Sequence, residues 1–241
     1  DHRDLHLSLR RQRQMCIRDS YCIAKTSHIY PLPDELDSKT GAAIQVLTTV
    51  LHAQNKGNLA NGDAVVVSGL GVTGLMHIQL AKARGAKVVV GTSRNAHKRE
   101  IALALGADYA VGHGEEAKET ILEVTNRIGA DMVIECVGNL SMLAEAVDLA
   151  RLGGKIVPFG IYPSGQAELP FYDFYFKELQ IINVRAAKGH DFSACIDLVS
   201  GGEVNLAHLI TPTLPYTELN SAIRMLMEPS DERIKVILEA A

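Results

Sequence analysis

The 241-residue sequence predicts an α/β fold built on a doubly wound parallel sheet. Three observations carry the expectation. Strand-like and helix-like stretches alternate with a period of roughly 25–30 residues, the length of a strand–helix step in such a sheet. The stretches AVVV (64–67) and VVVG (88–91) are unbroken apolar runs, as expected where helices cover both faces of a parallel sheet. Between them lies a glycine turn, Gly69, Gly71 and Gly74, which follows the first strand directly and opens a helical stretch.

The elements follow in chain order. YCIAKTSHIYPLP (21–33) alternates apolar and polar residues and stops at Pro31 and Pro33, which predicts a short strand and a turn. Asp37 or Ser38 can cap a helix through residues 41–56, whose apolar positions Ala43, Ile44, Leu47, Val50 and Leu51 fall at helical spacing. After the two buried strands and their helix come a helix at 96–107, a short strand at 108–111, and a helix from Glu115 whose first-turn acids suit the helix dipole. DMVIECVG (131–138) reads as a strand. LSMLAEAVDLARL (140–152) reads as a helix closed by Gly153 and Gly154, and KIVPFG (155–160) as a further strand. Beyond Gly160 the rhythm loosens through FYDFYFKE (171–178) to a strand LQIINV (179–184). The aromatics of 171–178 suggest buried packing or a subunit contact. The last portion predicts a helix at 191–202, an extended piece at 209–216, a helix at 217–227 and a closing strand at 233–240.

Composition bounds the function. Apolar residues make up 47% and charged residues 22%, ordinary values for a soluble domain. No apolar run reaches the ~18 residues of a membrane helix. The net charge of −4 gives no electrostatic footprint for nucleic acid or an anionic membrane. Four scattered cysteines (Cys16, Cys22, Cys136, Cys195) without a C-x-x-C pair exclude a self-contained cysteine zinc cluster, and suggest a reducing, cytoplasmic compartment. Residues 1–20 stand apart: five arginines and three aspartates give them +2, leaving −6 on the rest. Their run RRQRQMCIRDS resembles a translated adapter read-through, so this stretch is expected to be a non-native or disordered tail.

In its strand–turn–helix setting, G-x-G-x-x-G is a dinucleotide signature. The first glycine permits the tight turn, the second admits a pyrophosphate to the backbone amides, and the third lets helix and strand pack closely. The helix opening at Val72 offers its N-terminus to the phosphates. At the end of the second strand, where a carboxylate would select a ribose 2′-hydroxyl, the sequence has Ser93 and Arg94, with Lys98 one turn on. A small hydroxyl and a guanidinium can accept a 2′-phosphate that a carboxylate would repel. These residues predict NADP(H) as the preferred cofactor, with NAD(H) the alternative.

From about Tyr21 the chain resembles the coenzyme-binding part of the medium-chain, zinc-type alcohol dehydrogenases. The stretches that carry the resemblance are LTTVLHA, the 61–86 glycine-turn unit, LGADYAV, GADMVIECVG, LARLGGKIVPFG, FKELQIINVRAA, SGGEVNLAHLITPTLPYTELNSA and KVILEA. The resemblance implies a Rossmann domain at 57–185. Remnants of a GroES-like catalytic domain flank it, a catalytic-domain piece and connecting helix at 21–56 and a C-terminal return at 186–241. It also implies hydride transfer between a secondary alcohol or carbonyl substrate and a nicotinamide, and a homo-oligomeric intact parent. By the same resemblance Thr49 touches the nicotinamide end. Val137, Gly138, Phe159, Gly160 and Ile161 contact ribose and carboxamide, and Lys235 lies near the pyrophosphate.

The departures are as informative. The family's first zinc ligand, its Gly-His-Glu motif and its structural zinc lobe have no counterpart here, and Gln45 stands where many members place Cys or Glu. A neutral amide is a poor zinc ligand. The chain as given is expected to lack a catalytic zinc site, zinc belonging to the intact parent only. Gln45 also keeps open a zinc-independent quinone or enone reductase of the same superfamily, and the isolated chain could be a nucleotide-binding module without chemistry. His52, His77, His113, His190 and His208 form no i, i+4 ligand pair and read as core or surface histidines. Cys136, at a strand end, reads as packing.

Overall fold

The computed structural model describes residues 25–162, 168–228, 230 and 232–239. The expected tail at 1–20 lies outside the described residues. The chain divides into two compact units, residues 1–31 and 32–241. In the first, the strand expected near 21–33 is not formed over 25–31: Thr26–His28 make a 3-10 turn. His28 N–H donates to Lys25 O (2.8 Å) and Ile29 N–H to Thr26 O (3.1 Å), so local bonds take up these donors in place of a sheet ladder.

The second unit is a six-stranded sheet with helices between its strands. Helix α1 (Ser38–Lys56) starts at Asp37, whose carboxylate accepts the Thr40 N–H at 2.7 Å. That bond holds the Asp37 carboxyl below its ordinary range. Its five apolar positions expected at helical spacing are all buried. Strand β1 (Ala64–Ser68) leads through the glycine turn to α2 (Val72–Ala83), and then to β2 (Val88–Thr92). All ten residues of β1 and β2 are buried, as two-sided covering requires. There follow α3 (Ala96–Ala104), β3 (Tyr109–Val111), α4 (Glu115–Val124), β4 (Ala130–Glu135), α5 (Leu140–Leu149) and β5 (Ala150–Pro158). The set closes with α6 (Phe171–Phe176) and the two-residue edge strand β6 (Gln180–Ile181). Every pairing is parallel and the order is β3-β2-β1-β4-β5-β6. This is the 3-2-1-4-5-6 arrangement of a dinucleotide-binding sheet, with the β1 and β4 ends flanking its topological switch point.

Two expected boundaries move. Helix α5 ends at Leu149, not near Gly153, because Ala150 turns extended and pairs with Ala130 of β4 across a register shift. The carbonyls freed at its end are met from far along the chain. Lys177 Nζ donates to Val147 O (2.7 Å), Asp148 O (3.3 Å) and Ala150 O (3.1 Å). The strand expected over 179–184 is reduced to two residues at the sheet edge. The aromatic segment also differs from buried packing: Phe174 alone is buried, while Phe171, Tyr172, Tyr175 and Phe176 are 72%, 72%, 81% and 63% exposed.

The C-terminal portion forms α7 (Gly189–Ser200), β7 (Ile210–Pro215), α8 (Leu219–Met227) and β8 (Lys235–Glu239), with β7 and β8 paired as a separate parallel ribbon. Gln79 of α2 ties this portion down, its amide donating to Asn205 O (3.1 Å) and accepting the Asn205 N–H (2.7 Å). Helix α8 buries only Ala222 and leaves Ile223, Leu226 and Met227 exposed.

Candidate functional site: a cleft at the switch point

The site grows out of the turn between β1 and α2. Gly69 takes φ +95°, a backbone state that a side chain would strain, and its N–H donates to Thr92 O of β2 at 2.9 Å. A Cβ built at Gly74 would overlap the Gly69 carbonyl, so only glycine lets the first turn of α2 come this close to the turn. At Gly71 a Cβ would meet nothing within 4 Å. That position therefore faces open space, not packed protein. Gly71 is also the N-cap of α2, and no side chain caps the helix. The helix start thus keeps amide donors for an anion.

An open cleft of about 550 Å³ adjoins this turn, lined by Gly69, Leu70, Gly71, Ser93, Arg94, Asn95, Lys98, His113, Val137, Asn139, Ser141 and Met142. Of the residues singled out in the sequence, Gly69, Gly71, Ser93, Arg94, Lys98 and Val137 line it together. Ser93 is buried: its hydroxyl accepts the Asn95 N–H (3.2 Å) and its carbonyl accepts from Arg99 Nη1 (2.7 Å). Arg94 is exposed, and Asn95 caps α3 by accepting the Lys98 N–H at 3.0 Å. No carboxylate is among the lining residues.

Val72 and Gly74 sit behind the turn in α2. Gly138, Phe159, Gly160 and Ile161 form a second cluster at the ends of β4 and β5, where a Cβ at either glycine would overlap the backbone of the other loop. Glu135, fully buried at the end of β4, organises this cluster. Its Oε1 accepts the Val137 N–H (2.7 Å) and the Gly138 N–H (3.0 Å), and its Oε2 accepts the Tyr162 hydroxyl. Burial first, and then the Glu135 carboxyl, push the Tyr162 phenol well above its ordinary range. Thr49 lies on α1 with its hydroxyl donating to Val46 O at 2.7 Å, and Lys235 lies in the β7–β8 ribbon; neither lines the cleft.

His77 is a core residue. It is fully buried in α2, its Nδ1 is 3.2 Å from Gln54 Nε2, and its ring meets Phe159 edge-on at 4.7 Å. Burial, with a smaller contribution from Arg84, takes its pKa down to about 3. Cys136 is raised by burial and by Glu135, and Cys195 is pushed up to about 12 chiefly by burial, which disfavours the thiolate in both. His113, Asn95, Asn139, Ser141 and Met142 join the lining only because the folded β2, β3 and β4 ends bring them to one place, which no local pattern announces. Gln45 is exposed on α1, and no three His, Cys, Asp or Glu side chains among the described residues are grouped as metal ligands. The donor set does not fit a zinc ion.

The sheet order is that of the dinucleotide-binding fold, and comparison with known proteins places the chain further. A model of the zinc-binding dehydrogenases matches residues 72–201, and the chain belongs to that family. A sorbitol dehydrogenase from Halalkalibacterium halodurans is 31% identical over 220 residues, covering 90% of this chain and 64% of the relative. A D-arabitol-phosphate dehydrogenase from Enterococcus avium is 29% identical, covering 92% and 63%. Among solved structures, a protein described as a zinc-binding dehydrogenase from Sinorhizobium meliloti, bound to NADP, matches with TM-score 0.79 and 28% identity, over 87% of this chain and 62% of that one. A short chain alcohol dehydrogenase from Escherichia coli CFT073, complexed with NADH, matches with TM-score 0.79 and 27% identity, over 87% and 61%. The chain spans somewhat less than two thirds of the length of these relatives. No helix among the described residues is long and apolar enough to cross a membrane.

Proposed function

We propose that the chain is the NADP(H)-binding portion of a dehydrogenase that moves hydride between the carbinol carbon of a secondary alcohol or polyol and a nicotinamide ring. One observation carries the cofactor assignment: the cleft beside the phosphate turn is lined by Ser93, Arg94 and Lys98 and by no carboxylate. A bound nicotinamide would supply the hydride-accepting carbon. The chain's own residues would do the holding. The Gly71–Gly74 turn and the α2 N-terminus receive the pyrophosphate, Arg94 and Lys98 receive the 2′-phosphate, and Val137, Gly138, Phe159, Gly160 and Ile161 shape the nicotinamide end beside Thr49.

The polyol class of substrate rests on the names of the sorbitol and arabitol-phosphate relatives. A zinc ion would supply a Lewis acid to such a reaction, and the described residues do not fit that ion. This chain alone is therefore expected to bind cofactor and to leave sorbitol unoxidised. Gln45 favours a second reading, a quinone or enone reductase that needs no zinc.

The test is a fluorescence titration of the purified chain with NADPH and with NADH. Tighter binding of NADPH is expected, and Arg94→Ala should remove about tenfold of it, the size of a charge-assisted hydrogen bond to an anion. Tighter binding of NADH overturns the cofactor reading. Oxidation of sorbitol by the chain overturns the expectation of inactivity.

A further inference from the structure

We propose that His113 is a charge-switched specificity residue of the cleft, favouring a 2′-phosphate when protonated and a 2′-hydroxyl when neutral. This rests on the NADP(H) reading above and adds a second determinant to it. His113 follows β3 and lines the same cleft as Ser93, Arg94 and Lys98. Its Nδ1 is engaged on the protein side, 3.0 Å from Thr92 Oγ1 and 3.6 Å from Glu145 Oε1. Thr92 is fully buried at the end of β2. Among the described residues the other ring nitrogen, Nε2, has no hydrogen-bond partner.

Glu145 supplies the independent observation. Its Oε1 is buried and has no hydrogen-bond partner, and His113 Nδ1 is the cation-forming atom beside it. An orphaned carboxylate oxygen is costly when buried, and an imidazolium at 3.6 Å offsets that cost. In the doubly protonated ring Nδ1 donates to Thr92 or Glu145 and Nε2 donates outward, matching a phosphate oxygen. In the neutral ring with its proton on Nδ1, Nε2 becomes an acceptor, which suits a ribose hydroxyl and repels a phosphate.

The charged neighbours on the packed elements are few. Arg94 and Lys98 from the β2–α3 side share the cleft. Arg99 is turned back onto Ser93 O, Glu145 comes from α5, and Glu116 of α4 accepts the Gly112 N–H at 2.9 Å. Arginine and lysine are cationic side chain types across neutral pH, so Arg94 and Lys98 supply a constant preference for phosphate. Histidine is the side chain type whose charge changes in that range. His113 makes the preference grow as pH falls.

The experiment measures binding of adenosine 2′,5′-bisphosphate and of 5′-AMP to the chain between about pH 8 and about pH 6, for wild type and His113→Gln. A 2′-phosphate itself gains a proton near pH ~6, which weakens its binding in both proteins and is why the two are compared. Relative to His113→Gln, wild type should gain about tenfold in the affinity ratio of bisphosphate over 5′-AMP across this range. A fold-independent check uses the imidazole proton NMR titration of His113 in the wild type. By reciprocity of linkage, saturating bisphosphate should move its transition to higher pH, and 5′-AMP should not. Parallel pH profiles for wild type and His113→Gln, or an unmoved transition, overturn the switch while leaving the cofactor reading intact. Equal affinities for the two ligands at every pH overturn both.

Discussion

The buried carboxylate of Glu135 receives the Tyr162 hydroxyl and, at the same time, the backbone amides of Val137 and Gly138. One side chain thus fastens the loop after β4 to the loop after β5. The two loops are in backbone contact at Gly138 and Gly160, with no room for a Cβ at either. A group that fixes both loops fixes the surface that the proposed function gives to a nicotinamide and its ribose.

Replacing Glu135 by Ala takes the acceptor from these donors, of which the Gly138 N–H is buried and the other two partly so; a buried donor left unpaired costs about 1–3 kcal/mol, a wetter one less. The expected loss is about 2–4 kcal/mol in a denaturant titration, with weaker NADPH binding. Tyr162→Phe removes one donor and leaves the amide bonds in place, so it should cost only about 1 kcal/mol. Equal losses for the two variants would show that the amides do not depend on Glu135.

Gly71 and Gly74 should respond to alanine in opposite ways. At Gly74 the added methyl collides with the Gly69 carbonyl, a backbone atom that cannot step aside, and a loss of about 2 kcal/mol or more in stability is expected. At Gly71, with φ −77° and empty space around the Cβ direction, alanine should leave the melting temperature unchanged. If the space is the pyrophosphate seat, Gly71→Ala should still weaken NADPH binding. A Gly71→Ala protein that binds NADPH as wild type does would move the phosphates elsewhere.

His77 gives the fold a pH dependence whose sign follows from its burial. Its folded pKa of about 3 lies below the ordinary value of 6.5, so the unfolded chain binds a proton that the native core refuses. Its contribution to stability is complete above pH 6.5 and is lost as pH falls from there toward 3. The slope approaches about 1.4 kcal/mol per pH unit within that window. His77→Gln should flatten this part of the stability curve, as read by denaturant midpoints at successive pH values. An unchanged slope would mean that His77 takes up a proton inside the fold.

The parts of the molecule legible in the sequence are those set by local pattern. Val65–Val67 and Val88–Val90 announce buried strands, Gly69 announces the turn, and Asp37 announces a helix start. What stayed hidden depends on distant partners. Helix α5 stops at Leu149 because Ala150 finds Ala130 and Lys177 reaches its last carbonyls, and neither is visible in the run LARLGG. The pairing of His113 with Thr92 and Glu145 spans three separate elements, so a lone histidine in VGHGE looks like any surface histidine. The sequence leaves FYDFYFKE open between buried packing and a subunit contact, and the fold excludes buried packing for Phe171, Tyr172, Tyr175 and Phe176 because a six-residue helix can bury only one side.

That aromatic face leads to the last prediction. Tyr172 and Phe176 stack on each other at 6.0 Å in the open, and α6 runs directly into β6, a two-residue strand at the edge of the sheet. An exposed aromatic patch beside an unpaired strand edge is a surface that a second copy of the chain can cover on both counts, by apolar burial and by ladder bonds. The chain is therefore expected to self-associate through α6 and β6. Light scattering after gel filtration should give a mass of at least two chains at micromolar concentration. Tyr175→Ser with Phe176→Ser should shift it toward a single chain without lowering the melting temperature, since both side chains are exposed. Phe174→Ser should instead unfold the edge, because that ring is buried in the core beneath the helix. A wild-type chain that runs as a monomer, or a double variant with undiminished mass, would sink the α6–β6 assignment.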